Sequence, residues 1–396
     1  MRILSISAQR PDSTGSGVFL TELVRGFAAL GCEQAVLAGV GSEDISPFPA
    51  DVTFFPVRYE SAALPFPICG MSDEMPYRST RYCDMTEEMT AQFRAAFSAA
   101  LRDAVGAFRP DVILCHHLYA LTALVRELFP ERRVCAICHG SDLRQIRKNP
   151  WQREWILPRI GKLDCVFALH ARQKQDIAGL YALPEERIRV IGTGFNSDVF
   201  HRVPEAERRD DRIRLLFAGK LSEKKGVFSL LRALSALSEP DRFVLTLAGG
   251  YGDQAEYAAI RALAAKAPCQ VLLPGKLSQT ELARRMNESD VFVLPSFYEG
   301  LPLVLIEAMA CGLNCVCTDL PGIRPWLDER LPGHGVVFVA PPAMRNQDEP
   351  ESDSLPRFEQ DLAAALTAAL TAPQPAPETI AALSWDGLCR TLLPLL

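Results

Sequence analysis

The sequence has no surplus of either charge large enough to define a partner. Of its 396 residues, 42 are Lys or Arg and 48 are Asp or Glu, a net charge of −6. Residues 1–200 carry 22 basic and 23 acidic side chains, leaving 20 and 25 for the rest, so neither half has the basic footprint of a nucleic-acid binder. Long apolar runs are also missing. The longest, Gly300 to Cys317, contains Pro302, Glu307 and Gly312, which excludes a membrane span. The opening MRILSISAQR has only a short apolar stretch and no small-residue cleavage site, so it reads as a first strand rather than an export signal, and the expected location is cytoplasmic. No repeat recurs at a solenoid period. No Asp-x-Asp follows an apolar strand to hold a divalent metal, since Asp210-Asp211 and Glu351-Ser-Asp353 lie in polar stretches; no metal and no cofactor are expected. Twelve cysteines are scattered along the chain, many inside apolar runs, and read as reduced core thiols rather than a disulfide framework.

The composition, 48% hydrophobic and 23% charged, is that of a globular protein, and the length predicts two or three domains. Short apolar runs alternate with longer amphipathic segments. RILSIS, EQAVLAG, DVILCHH, RVCAICH and DCVFALH occupy the first half, and RLLFAG, RFVLTLAG, CQVLLPG, DVFVLPS and NCVCTD the second. Runs of this kind suit strands buried on both faces. Val18 to Leu30, Thr90 to Phe108, Phe228 to Leu237 and Leu277 to Asn287 have helical spacing. Strand and helix alternating through two halves predicts two α/β domains with parallel sheets. Pro204 to Arg212 (PEAERRDDR) reads as the linker between a domain over 1–203 and one over 213–375. Pro341 to Gln360 reads as an exposed loop, and Ser384 to Leu396, with Trp385 near its start, as an apolar helix that must dock. A cleft between two such halves is where ligands of these folds collect.

Pro295-Ser-Phe-Tyr-Glu299-Gly300-Leu301-Pro302-Leu303-Val304-Leu-Ile-Glu307-Ala-Met-Ala-Cys-Gly312 is the most informative stretch. Pro302 suits the first position of a helix and Gly312 the residue past its end. A helix N-terminus behind a parallel strand offers free N–H groups to an anion such as phosphate. Glu307 is the one charge in an apolar helix, and a buried carboxylate needs donors; vicinal ribose hydroxyls would supply two, a backbone or Arg partner being the plainer alternative. In Gly219-Lys220-Leu-Ser-Glu-Lys224-Lys225-Gly226 a strand ends in a lysine-rich turn, where Lys220 and Lys225 could neutralise a diphosphate or simply be solvated. Gly15, Ser16 and Gly17 open the first helix, where backbone can approach phosphate. Cys135-Ala-Ile-Cys138-His139 matches the c-type haem pattern, but its cysteines sit in an apolar strand, and His139 reads better with the polar turn His139-Gly-Ser-Asp142 that follows. Cys311, Cys315 and Cys317 lack a second ligand pair for zinc. Leu143 to Leu163 holds six basic residues, Trp151 and Trp155, and reads as a solvated basic helix, with an anionic lipid surface or an acceptor as the alternative partner.

These residues resemble the retaining GT-B glycosyltransferases of family 4 (glycosyl transferases group 1). The likeness spans nearly the whole chain: the Gly-rich loop, HGSD, GKLSEKKG, LAGGYGDQ, EGLPLVLIEAMACG with its E-x7-E pair, and a last helix bearing Trp. It implies two Rossmann-like domains facing a central cleft, an N-terminal acceptor domain (1–203) and a C-terminal nucleotide-sugar domain (213–375), with residues 376–396 crossing back to the first. By resemblance, His139 contacts the transferred sugar, Lys220 and Lys225 the diphosphate, Glu299 the sugar hydroxyls and Glu307 the ribose. Gly15, Ser16 and Gly17 approach the phosphates, and Gly300, Leu301, Leu303 and Val304 complete the cradle. Asp142 and Arg144 would face the acceptor. The implied partners are a UDP- or GDP-linked sugar and a glycan, lipid-linked or small-molecule acceptor, the last compatible with peripheral contact at the inner membrane face. The family usually has Arg where Lys220 stands, so a planar fork is replaced by a point charge. A silent sugar-nucleotide binding protein and a nucleotide-sugar epimerase of similar architecture are the alternative readings.

Overall fold

The computed structural model describes residues 1–11, 13–44, 46–72, 75–203, 211–346, 349–374 and 377–396. Most of the expected linker, 204–210, lies outside the described residues. The strands are β1 (Arg2–Ser7), β2 (Glu33–Val40), β3 (Thr53–Arg58), β4 (Cys69–Gly70), β5 (Thr80–Arg81), β6 (Val112–His116), β7 (Val134–Ile137), β8 (Cys165–Ala168), β9 (Ile188–Val190), β10 (Ile213–Ala218), β11 (Phe243–Ala248), β12 (Gln270–Gly275), β13 (Val291–Leu294), β14 (Asn314–Thr318) and β15 (Val337–Val339). The helices are α1 (Gly15–Ala29), α2 (Glu87–Phe108), α3 (Ala120–Leu128), α4 (Ser141–Lys148), α5 (Arg153–Ile160), α6 (Ala171–Tyr181), α7 (Val227–Ala233), α8 (Gln254–Ala264), α9 (Gln279–Asn287), α10 (Leu303–Ala310), α11 (Ile323–Arg330), α12 (Leu355–Ala369), α13 (Pro377–Ala381) and α14 (Trp385–Leu392). The chain divides into two compact units, Met1–Thr193 with Trp385–Leu396, and Gly194–Ser384.

The first unit is built on a seven-stranded sheet of order β3-β2-β1-β6-β7-β8-β9, with every pairing parallel. Its central strands are largely apolar because both faces are covered. On β2, Ala35 and Leu37 join one core cluster with Phe93, Phe97 and Leu101 of α2, while Val36 and Ala38 join another with Leu20 and Val24 of α1. Helix α1 starts where Thr14 accepts from the Gly17 amide at 3.2 Å, and α2 where Thr86 accepts from that of Met89 at 3.1 Å. The apolar C-terminal segment docks through α14 onto α1, with the Trp385 ring 4.9 Å from Phe19, edge to face. A Cβ on Gly26 would meet Cys389 Sγ at 2.4 Å, so α1 needs glycine where α14 crosses it.

The second unit has a six-stranded parallel sheet, β12-β11-β10-β13-β14-β15. Counted from β10, this is the 3-2-1-4-5-6 order of a doubly wound sheet, and the first unit begins with the same order. In each, chain direction across the sheet reverses beside the first strand, between β1 and β6 and between β10 and β13.

Several boundaries differ from the expectation. Leu355 to Gln360 is the first part of α12 rather than loop, because Phe358 and Leu362 continue a periodic buried face. In the segment expected to form the crossing tail, α13 groups with the second unit and only Trp385 onward with the first. Pro302 is the residue capping α10, not its first helical residue. All twelve cysteines are free, nine of them buried. Both tryptophans of the basic segment are tied into the first unit, Trp151 Nε1 donating to Thr90 Oγ1 at 3.2 Å and Trp155 Nε1 to Glu127 Oε2 at 2.9 Å. Among the described residues no helix is long and apolar enough to cross a membrane.

Candidate active site

In the first unit the chemistry-bearing residues gather at the carboxyl ends of β1, β6 and β7, at the reversal of strand order. Strand β6 ends on His116. The next residue, His117, has φ 73°, a left-handed conformation uncommon outside glycine and asparagine. Its amide donates to Ile137 O at 3.0 Å and its carbonyl accepts from Thr122 Oγ1 at 2.5 Å, which together hold this backbone. His117 Nε2 lies 3.1 Å from Ser16 Oγ at the start of α1, and Ser16 Oγ lies 3.1 Å from the capping hydroxyl of Thr14. His139 follows β7, and its Nε2 is 3.1 Å from His116 Nδ1, the two rings stacked within 12°. Phe19 of α1 packs edge-on against His139 at 5.2 Å, and Phe19 in turn rests on Trp385.

Asp142 organises this corner from below. It is 0% exposed, and its carboxylate accepts from the amides of Leu118 (2.8 Å), His139 (3.3 Å) and Leu143 (3.2 Å) and from the Cys138 thiol (3.2 Å). The expected contact of Asp142 with an acceptor therefore gives way to a structural role, because its oxygens are already taken by main chain from two strand ends. Arg144 is half-buried and donates to Ser72 Oγ at 3.4 Å. Gly15 is exposed, with nothing within 4 Å of where a Cβ would sit.

Burial pushes the His116 imidazole down to about 3 and that of His139 well below the ordinary histidine range, each reinforced by neighbouring imidazoles. Burial lowers His117 as well, opposed by the charge of Asp142. All three rings are thus neutral near pH 7. The unfolded chain takes up these protons near pH 6.5, whereas the folded chain resists them. Stability is therefore full above pH 6.5 and falls as the pH drops toward the folded-state values. His116 alone should remove about 2 kcal/mol between pH 6.5 and 5. Urea unfolding at pH 7 and pH 5 measures this, and equal midpoints would contradict it.

In the second unit the corresponding strand ends carry Lys220 and Lys225 after β10 and Glu299 after β13. Residues Glu223–Lys225 form one 3₁₀ turn, closed by Gly226 at φ 70°. Phe297 N donates to Lys224 O at 3.0 Å, pinning the lysine turn to the chain leaving β13. Lys225 Nζ is 2.6 Å from Glu299 Oε1, with side chains 29% and 15% exposed. A Cβ at Gly226 would lie 2.0 Å from Pro295 O, so both the close approach and the positive φ demand glycine here. Gly226→Ala should cost roughly 2 kcal/mol by urea unfolding, and a loss below about 0.5 kcal/mol would show that the turn relaxes freely. Lys220 is half-buried at the mouth of β10, in a loop joined to the one after β11 by Leu221 N donating to Gly250 O at 2.8 Å. Gly300, Leu303 and Val304 are half-buried, and Leu301 and Glu307 are buried. Among the described residues no three His, Cys, Asp or Glu side chains are grouped to hold a metal ion.

The structure brings Lys225 against Glu299, which the sequence placed at the ends of two strands, and sets His139 beside two further histidines. Sequence reasoning passed over His116 and His117. The signal was the pair of histidines closing the apolar run DVILCHH, where a strand end meets a polar turn.

Two doubly wound units with these residues at their strand ends define the GT-B class of glycosyltransferases, and comparison with known proteins agrees. The family described as Glycosyltransferase Family 4 matches residues 13–199, and Glycosyl transferases group 1 matches residues 201–345. The chain belongs to this glycosyltransferase family. An uncharacterized glycosyltransferase of Methanocaldococcus jannaschii is 27% identical over 51% of this chain and 59% of its own length, so the chain spans little more than half of that relative. A glycogen synthase of Mycobacterium tuberculosis is 27% identical over 82% of this chain and 79% of its own. Among solved structures, Anabaena HepE in complex with UDP has the same fold, with a TM-score of 0.66 at 14% identity and coverage of 100% and 99% of the two chains.

Proposed function

We propose that the protein transfers a sugar from a nucleotide-diphosphate sugar to a hydroxyl acceptor with retention of anomeric configuration and without a metal ion. The observation that carries this reading is the Lys225–Glu299 pair at the carboxyl end of the second unit's sheet, directly before α10 with its buried Glu307. An ammonium held by a carboxylate is placed to stabilise charge developing on a departing diphosphate, helped by the amides that open α10. Glu299 keeps an oxygen for the sugar hydroxyls, and Glu307 takes the ribose. Lys220 adds charge at the diphosphate. His139 contacts the transferred sugar. That a relative of the same fold binds UDP supports a nucleotide donor.

In the proposed step the bond from the anomeric carbon to the diphosphate oxygen breaks. A bond to the acceptor oxygen forms on the same face, and the acceptor proton leaves with the diphosphate. Glu299 orients the sugar and is not a nucleophile, unlike the paired carboxylates of retaining hydrolases. The test screens UDP- and GDP-sugars for thermal stabilisation of the purified chain, then follows diphosphate release with candidate acceptors in the presence of a chelator. Product of retained configuration is expected. An inverted product overturns retention, loss of turnover with the chelator overturns metal independence, an isomerised donor indicates an epimerase, and binding without turnover a silent binder.

A further inference from the structure

His116 has no place in that reading, yet it is hydrogen-bonded to the ring of His139. It lies at the end of β6 and is 3% exposed. Its Nδ1 faces His139 Nε2 at 3.1 Å, and its Nε2 is buried without any hydrogen-bond partner. Both rings are neutral near pH 7, so one nitrogen of the facing pair carries a hydrogen and the other a lone pair. Two arrangements satisfy the contact. In one, His116 Nδ1–H donates to His139 Nε2, and the orphan Nε2 of His116 is a bare lone pair. In the other, His139 Nε2–H donates, and His116 must bury an N–H with nothing to receive it. Orphaned buried N–H groups are the rarer and costlier case, so the first arrangement wins. The hydrogen of His139 then sits on Nδ1, the nitrogen of a half-buried ring that bonds to no described residue.

We infer that His116 is a positioning residue: it locks His139 in the Nδ1–H tautomer, so that His139 meets its ligand as a hydrogen-bond donor and not as a base. The packing supports a fixed ring. Phe19 stands edge-on to both imidazoles, at 6.4 Å from His116 and 5.2 Å from His139, and the His139 amide is held by Asp142 at 3.3 Å. A donor suits a sugar hydroxyl or ring oxygen and cannot take the acceptor's proton, which agrees with a step in which the diphosphate takes it. The ring nitrogen that carries the proton is set by the hydrogen bond the other one makes, so the effect passes through His139 alone. This inference rests on the proposed sugar contact of His139 only for its consequence, since the tautomer itself is a property of the free protein.

Long-range ¹⁵N–¹H spectra of the imidazoles in the full chain at pH 7, assigned with a His139→Gln variant, decide it. The unaltered protein should show His139 protonated at Nδ1. His116→Leu should shift it toward the Nε2–H form that free imidazole prefers and lower kcat for transfer about tenfold, the worth of one hydrogen bond. His116→Asn, whose side-chain amide can place an N–H near the position of Nδ1, should keep the Nδ1–H form and recover most of the rate. Nε2 protonation of His139 in the unaltered protein overturns the inference whatever the leucine variant does, including failing to fold. An Nδ1–H signal that survives His116→Leu also overturns it. If no donor sugar turns over at all, the proposed function fails while the tautomer spectra still stand.

Discussion

Lys225→Ala is expected to lower kcat/KM for sugar transfer about 10²–10³-fold while leaving the melting temperature within a degree or two of the unaltered protein. The two effects separate because of where the lysine sits. Its Nζ is 2.6 Å from Glu299 Oε1, but the side chains are 29% and 15% exposed, so water screens the pair and its contribution to folding is at most about 1 kcal/mol. Against a diphosphate the same ammonium acts where charge develops, and removing one such donor commonly costs two to three orders of magnitude. The loss would exceed that of a missing cation, since Glu299 would then present an unbalanced negative charge to an anionic leaving group. Lys225→Arg should recover part of the rate, because charge is kept while the fork has a different reach. Initial rates with a saturating acceptor, paired with a thermal melt, test both halves. An alanine variant with an unchanged rate would remove Lys225 from the diphosphate site.

Asp142→Ala should act in the opposite way, by destabilising the first unit by about 4 kcal/mol and lowering its melting temperature by roughly 10 °C. Three amides and a thiol converge on a carboxylate that water does not reach. Each amide left without an acceptor costs about 1–3 kcal/mol, partly relieved as the loop opens. Asn should not rescue it, since one of its two positions becomes an NH₂ facing N–H donors. The fraction that stays folded should lose activity too, because the amide of His139 is one of the three. Urea unfolding followed by the fluorescence of Trp385 and Trp151 reads the stability, and a change below 1 kcal/mol would mean that the turn is held by other contacts.

The strands of both sheets were legible for a simple reason. A strand covered by helices on both faces must be apolar at every position, and runs such as VILCH and FVLTLA have few other uses. Three of the four edge strands of the two large sheets were not legible. Thr53–Arg58 alternates in exposure and contains Pro56, and Ile188–Val190 and Val337–Val339 are only three residues long, so none forms a run that stands out from loop. Helix α12 was hidden by the polar, proline-bearing stretch that leads into it. Two helix starts carry a local cap in the structure, Asp253 accepting from the Glu256 amide at 2.7 Å and Ser278 from that of Glu281 at 3.2 Å.

The sites divide in the same way. The sequence alone determined that Lys225 and Glu299 share one edge of the second unit's sheet, since both follow apolar strands and a parallel sheet puts all such ends on one edge. It also determined the family, through the spacing of Glu299 and Glu307 along one turn and helix. Only the tertiary structure decided the partners. Lys225 could reach Glu299, 74 positions away, because β10 and β13 are neighbours across the reversal of strand order. Asp142 passed from a candidate ligand contact to a buried anchor, because the residues that fill its oxygens come from two strand ends and a helix start. His116 and His139 met because β6 and β7 pair in register, and no local pattern encodes which nitrogen of one ring will face the other. Side-chain type and spacing are local properties of a chain, whereas burial and hydrogen-bond partners depend on which strands lie side by side.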